Sequence, residues 1–169
     1  MTESQGGIHS RARMKTFLLV GSLALLMALP VKAAEDTFYK PGISFDGFVS
    51  ARSHDLNDAR GGAGLGANLF FANNLGIGVE AVIENTAHST IDTVQGNALW
   101  RITSGRAALN LLGGGGQNFE SEEFFVCAGG GPEYAFSRAF HVFGDARAIK
   151  PIEGGDVHAL FRAGVRLTF

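Results

Sequence analysis

The sequence is poor in lysine and in charge overall, and each shortage excludes a class of protein. Beyond residue 33 the only lysines are Lys40 and Lys150, whereas soluble β-proteins normally spread lysine over their exposed faces and edges. Charged residues make up 18% of the chain, against about a quarter in an average soluble domain. The formal net charge of -2 provides no basic field, so we predict no nucleic-acid partner. These shortages argue against a water-facing exterior.

Cysteine is almost absent, while glycine is abundant. Cys127 is the single cysteine, so no disulfide can form within the chain. It is either a reactive thiol or a small filler in a packed interior, and we favour the filler. The chain has 24 glycines, and 13 of them form clusters at 61–66, 76–78, 113–116 and 129–131. None of these clusters has the spacing of a phosphate-binding loop, so we assign them to closely packed strands.

The N-terminal region has the features of a secretory signal. A positive flank at Met14 and Lys15 precedes an apolar run over 17–29, and small residues follow at Ala33 and Ala34. We expect cleavage after Ala33, with Ala34 as the alternative. The apolar run is too short to span a bilayer comfortably, which makes a single-span anchor the second interpretation.

The predicted domain organisation follows from that signal. Translation starts at either Met1 or Met14, and both remain open. The boundaries are a signal peptide with an N-terminal extension over 1–33, a short periplasmic lead-in over 34–41, and one domain over 42–169. About 130 residues are enough for a single domain.

The last segment, 157–169, shows the pattern that defines this domain. Apolar residues occupy every second position up to Phe169, and the other positions include Arg162 and Arg166. Successive side chains of a strand point to opposite faces, so one face is apolar and the other carries charge. Seven further segments repeat this alternation, and the eight predicted strands cover about 42–52, 60–72, 75–85, 92–103, 106–116, 123–136, 139–149 and 157–169.

Charged residues in the interiors of these strands all fall on the side opposite the apolar face. A lipid-facing arginine or lysine at mid-depth would cost roughly 2–4 kcal/mol, so their exclusion is expected if the apolar face meets lipid. The ten residues are Asp46, Arg52, Glu80, Glu84, Arg101, Glu133, Asp145, Arg147, Arg162 and Arg166. We predict that they form a network in the lumen of a barrel, because buried charges of balanced sign must pair. A gated conduction path is the alternative.

The connections between the strands favour a membrane barrel over a soluble one. Turns of about two residues, at 73–74, 104–105 and 137–138, alternate with longer polar loops, as in transmembrane up-and-down barrels. Aromatic residues gather near the short-turn ends, as expected of an interfacial girdle. They are Phe45, Phe71, Trp100, Tyr134, Phe136, Phe140 and Phe169.

These motifs resemble the OmpA/OmpX-like family of small outer-membrane β-barrel proteins. The resemblance covers about 40–169 and rests on 68–80, on 143–147 and on the closing segment 164–169. It implies an eight-stranded antiparallel transmembrane barrel in the bacterial outer membrane. It also implies that the barrel-assembly machinery recognises the C-terminal strand, with Phe169 as the key residue.

Enzymatic residues are scarce. Some eight-stranded outer-membrane barrels modify lipid A with serine and histidine at the outer rim, and His88 and Ser89 lie in a predicted outer loop near Glu84. Adjacent residues in an extended chain point apart, which makes this pair a poor dyad. His54, His141 and His158 lack metal-ligand spacing. We therefore predict no catalytic, metal or cofactor site.

The function predicted from these features is a structural, envelope-stabilising outer-membrane barrel with a polar, side-chain-filled lumen. Its expected partners are outer-membrane lipids and the assembly machinery. A small channel or a barrel that binds a lipophilic ligand is the alternative, and an outer-rim lipid A hydrolase is third. The oligomeric state stays open.

Overall fold

The computed structural model describes residue 38 and residues 41–53, 59–72, 74–84 and 91–169. The predicted signal peptide and the pair His88 and Ser89 lie outside these residues. Within the described part of the chain, no helix is long and apolar enough to cross a membrane.

Eight strands form one closed antiparallel barrel in chain order. Each strand pairs with its neighbours in sequence, and β1 pairs with β8 to close the barrel. The strands are β1 (Gly42–Ser53), β2 (Ala59–Phe70), β3 (Leu75–Glu84), β4 (Thr93–Ser104), β5 (Ala107–Asn118), β6 (Glu123–Ala135), β7 (Phe140–Pro151) and β8 (His158–Thr168). The prediction of an eight-stranded antiparallel barrel is confirmed.

The two ends of the barrel differ in their connections. The turn end has the connections 71–74, 105–106 and 136–139, together with the start of β1 and the end of β8. The loop end has the connections 54–58, 85–92, 119–122 and 152–157. Two of the turns, 71–74 and 136–139, have four residues rather than the two predicted. Backbone bonds such as that from Phe136 N to Phe140 O join the chain across them. The difference in length between the two ends is therefore smaller than expected.

Strand β5 runs further than the sequence indicates. The prediction ended it among the glycines at 113–116, yet it continues through them to Asn118, paired with β4 and β6 throughout. A Cβ atom on Gly114 would lie 2.0 Å from the carbonyl oxygen of Gly96 on β4. The glycines at this position therefore allow close approach of the neighbouring strand rather than ending the sheet.

The outer surface of the barrel is apolar. Large side chains such as Leu65, Ile77 and Val79 are at least half exposed, while Glu80 and Arg162 on the opposite parity are buried. Soluble monomers rarely expose continuous apolar patches larger than a few hundred Å². The alternation therefore places the apolar side chains outside and the charged ones inside, as predicted.

The interior is less uniformly polar than expected. Buried apolar side chains share the lumen with the charges, including Phe48, Phe70 and Phe143. They lie on the inward parity of their strands, so the prediction of a polar interior was incomplete. The physical reason is that an eight-stranded barrel must fill its lumen with side chains, and aromatic rings fill it well. The ring of Phe48 occupies this space because residue 64 of the facing strand is glycine, where a Cβ would lie 2.4 Å from that ring.

Candidate functional site: the lumen network and the mouth cavity

Glu133 is the centre of the first cluster of charges, near the turn end. Its side chain is fully buried, and Arg166 donates a hydrogen bond of 2.6 Å from Nη1 to its Oε2. Arg101 donates from Nη2 at 3.2 Å and Asn110 from Nδ2 at 2.6 Å to the same oxygen. His141 Nδ1 lies 2.6 Å from Glu133 Oε1. Five strands, β4 to β8, therefore converge on one carboxylate.

Asp46 on β1 belongs to the same cluster through Arg166. The guanidinium of Arg166 binds the Asp46 carboxylate in a bidentate manner, with Nε to Oδ1 and Nη2 to Oδ2 both at 2.7 Å. Asn68 donates a further bond of 2.9 Å to Asp46 Oδ2. Bidentate pairing fixes both the position and the plane of the arginine. Arg166 thus joins β1 to β6 across the lumen.

Glu80 and Asp145 form the second cluster, further toward the loop end. Arg147 donates to both Glu80 oxygens at 2.8 and 3.1 Å, and Arg162 donates to Oε2 at 2.6 Å. The same two arginines bind Asp145, at 3.0 Å from Arg147 Nε and 2.6 Å from Arg162 Nη2. Gln95 also donates to Glu80. Each carboxylate in this cluster is therefore held by two arginines.

Aromatic rings support the arginines of both clusters. The Arg101 guanidinium lies 3.8 Å from the centre of the Phe70 ring, and that of Arg162 lies 4.3 Å from the Phe48 ring. A guanidinium is weakly hydrated and stacks favourably on an aromatic face. The apolar residues of the lumen thus hold the cations in place as well as filling space.

The ten charges predicted for the lumen divide into two groups. Eight of them, four acids and four arginines, form the two clusters just described, and all but Asp145 are almost completely buried. Arg52 and Glu84 lie apart at the loop end, where Arg52 Nη1 is 3.2 Å from Glu84 Oε1 and both side chains retain some exposure.

The amide and imidazole members of the network were not predicted. Asn68, Gln95, Asn110 and His141 all bind a carboxylate of the clusters. Their inward parity was visible in the sequence, and that signal could have included them. Cys127 is buried on the same face, with its Sγ 3.5 Å from Asn97 Oδ1.

Around the second cluster, the described side chains leave little free space. A void of about 10 Å³ borders the second cluster. A single water molecule needs about 10–15 Å³ of such space. The side chains therefore close the lumen at the level of the charge network.

The loop end, in contrast, opens into a cavity of about 470 Å³, which we call the mouth cavity. Its lining includes the apolar residues Phe125 on β6 and Pro151 at the end of β7. Polar and charged side chains form the walls, and those in the described part of the chain are Arg52, Arg60, Glu84, Asn118, Glu120, Ser121, Glu123 and His158.

Comparison with known proteins gives a likeness of fold. No protein-family model matches the chain, and no curated protein matches it. Among solved structures, a designed transmembrane β-barrel is similar with a TM-score of 0.61 and 14% identity, over 77% of this chain and 98% of the designed one. Ail, the attachment invasion locus protein of Yersinia pestis, is similar with a TM-score of 0.51 and 17% identity, over 78% of this chain and 99% of Ail.

Neisserial surface protein A is also similar, with 17% identity over 75% of this chain and 96% of that protein, and a TM-score of 0.49. At these identities the similarity concerns the fold alone. That fold is the small eight-stranded transmembrane β-barrel.

Proposed function

We propose that this protein is an outer-membrane barrel of the OmpA/OmpX-like kind, with a structural, envelope-stabilising role and no catalytic or transport activity. The observation that carries the proposal is the combination of an exposed apolar outer surface with a lumen closed by paired charges. Outer-membrane barrels present this outward apolar band to lipid. The fold shared with Ail and with the designed transmembrane barrel supports the membrane location.

The location is tested by membrane fractionation followed by gel electrophoresis with and without boiling. We expect the protein to float with the outer membrane and to change its mobility on heating, because a closed barrel resists detergent until heated. The same fractionation, with mass measurement of the mature N-terminus, tests the signal peptide and the cleavage site after Ala33. Recovery in the soluble periplasm with unchanged mobility would refute the proposal.

The closed lumen is tested by conductance in planar bilayers. We expect no steady conductance, since Arg147 on β7 and Arg162 on β8 reach across the lumen to bind Glu80 on β3. The matched variant Arg147→Ala removes a side chain from the constriction and provides a positive comparison. Steady conductance of the unaltered protein would favour the channel alternative.

Phe169 is proposed to act as the assembly signal. Its backbone N–H donates to Ile43 O at 2.9 Å, while its ring is 78% exposed at the end of β8 and meets Phe45 edge-on. The ring therefore contributes little to the closed barrel and is accessible for recognition. We expect deletion of Phe169 to slow assembly in cells while leaving refolding in detergent nearly unchanged. Equal slowing in both would indicate a structural role.

A further inference from the structure

The two walls of the mouth cavity carry opposite charge. Arg52 on β1, Arg60 on β2 and His158 on β8 line one side, and these three strands are neighbours in the barrel. Glu84 on β3 also lies on this side and binds Arg52, which leaves the side with an excess of basic groups. Glu120 in the 119–122 connection and Glu123 at the start of β6 line the opposite side. In a closed eight-stranded barrel, β5 and β6 lie across the lumen from β1 and β2. The cavity is therefore dipolar across its width.

The basic wall holds two arginines in an unfavourable arrangement. Arg52 and Arg60 are directly opposite each other in the β1–β2 register, and both line the cavity. Like charges at directly opposed positions destabilise a pair of strands. Glu84 binds Arg52 through Nη1, whereas the side chain of Arg60 is exposed in the lining of the cavity. The wall thus has donor capacity for a further anionic group.

The acidic wall is held by a fixed turn, and the apolar lining lies between the two walls. Asn118 Oδ1 accepts hydrogen bonds from the backbone N–H groups of Glu120 and Ser121, at 2.9 and 3.1 Å, which fixes the 119–122 turn. Phe125 and Pro151 provide apolar surface between the two walls. Binding pockets usually combine apolar lining with a few charged groups that set the orientation of the ligand.

We propose that the mouth cavity binds a small zwitterion of dipeptide size with an apolar side chain. The carboxylate binds between Arg52 and Arg60, the ammonium group binds Glu120 and Glu123, and the side chain rests on Phe125 and Pro151. A volume of about 470 Å³ lies within the range of about 300–1,000 Å³ that small-molecule sites occupy. A lipophilic ligand fits poorly, because it would leave the charges of both walls desolvated and unpaired. This binding site is additional to the structural role and does not depend on the closed lumen.

The test is titration of the isotope-labelled full-length mature protein, refolded in detergent micelles, with leucyl-leucine. We expect backbone amide shifts at Asn118, Glu123 and His158. Leucyl-leucinamide lacks the carboxylate and N-acetyl-leucyl-leucine lacks the ammonium group. Each should bind at least about tenfold more weakly, because a charge-assisted bond is lost.

The variant Arg60→Gln should raise the Kd for leucyl-leucine by at least about tenfold, with heat-dependent gel mobility confirming that it folds. The matched control is Arg106→Gln, an exposed arginine at the turn end, which should leave the Kd unchanged. No shifts at the mouth residues, shifts confined to the micelle-facing surface, or equal affinity for the three ligands would overturn the proposal. Equal Kd values for Arg60→Gln and Arg106→Gln would do so as well.

Discussion

The centre of the lumen and the mouth cavity are built by the same alternation of side chains. They differ in how completely their charged side chains are paired. At the centre, Glu133 and Glu80 each receive bonds from two arginines and from neutral donors. At the mouth, Arg52 has one carboxylate partner among the described residues, and the side chain of Arg60 is exposed. Buried charge must be fully paired, whereas charge near water need not be.

This difference separates stability from recognition. Substitutions at the centre should change the free energy of unfolding, because they leave a partner buried without compensation. Substitutions at the mouth should change binding and leave stability nearly unaltered. The following predictions test that separation, and the single tryptophan, Trp100, provides a fluorescence signal for unfolding in urea.

Glu133→Gln should have the largest effect. It leaves Arg101 without its carboxylate partner in a sealed site and leaves Arg166 with Asp46 as its remaining carboxylate among the described residues. We therefore expect a loss of about 3–5 kcal/mol in the free energy of unfolding, as for broken buried ion pairs. The matched control is Glu120→Gln at the mouth, which should unfold at the same urea concentration as the unaltered protein. Equal effects of the two substitutions would remove the distinction between centre and mouth.

Leu65→Arg tests the outer, apolar surface of the barrel. Leu65 is 72% exposed, opposite Gly47 and Ala81 near the middle of its strands. An arginine at mid-depth on the lipid face costs about 2–4 kcal/mol, and we expect this loss in lipid vesicles. Ile152→Arg, at the exposed 152–157 connection, should cost far less. An unchanged free energy of unfolding in Leu65→Arg would show that this face does not meet lipid.

Gly64→Ala tests how tightly the centre is packed. The new Cβ would lie 2.4 Å from the Phe48 ring and 2.7 Å from the Ala81 carbonyl oxygen. The strain of overpacking should destabilise the barrel by about 1–3 kcal/mol. Gly61→Ala is the control, because nothing lies within 4 Å of a Cβ at that position. If Gly64→Ala unfolds at the same urea concentration as Gly61→Ala, the lumen is looser than described.

Arg60→Gln should have the smallest effect on stability. Its side chain is exposed at the mouth and opposes Arg52 in register, so removing its charge relieves repulsion and breaks no buried pair. We expect an unchanged urea midpoint, within error, together with the loss of dipeptide binding described above. A large destabilisation would place Arg60 with the structural charges of the centre.

Some features of the barrel could be predicted from the sequence alone. The period of two assigns Val165 and Leu167 to one face and Arg162 and Arg166 to the other, and the structure agrees. The extent of β5 could not be read, because a run of four glycines carries no alternation. Phe48 and Phe70 were missed as lumen residues because an apolar side chain on the inward parity breaks the pattern that identifies a face.

The sequence by itself determined the number of strands, the alternation of apolar and polar side chains along them, and the face of the sheet on which each of the ten predicted charges lies. All three are local properties of consecutive residues. Only the tertiary structure decided which acid meets which arginine. Asp46 and Arg166 are 120 residues apart and become neighbours only when β1 pairs with β8. The register of that closure sets the depth of every side chain, and with it which charges are sealed at the centre and which remain at the mouth.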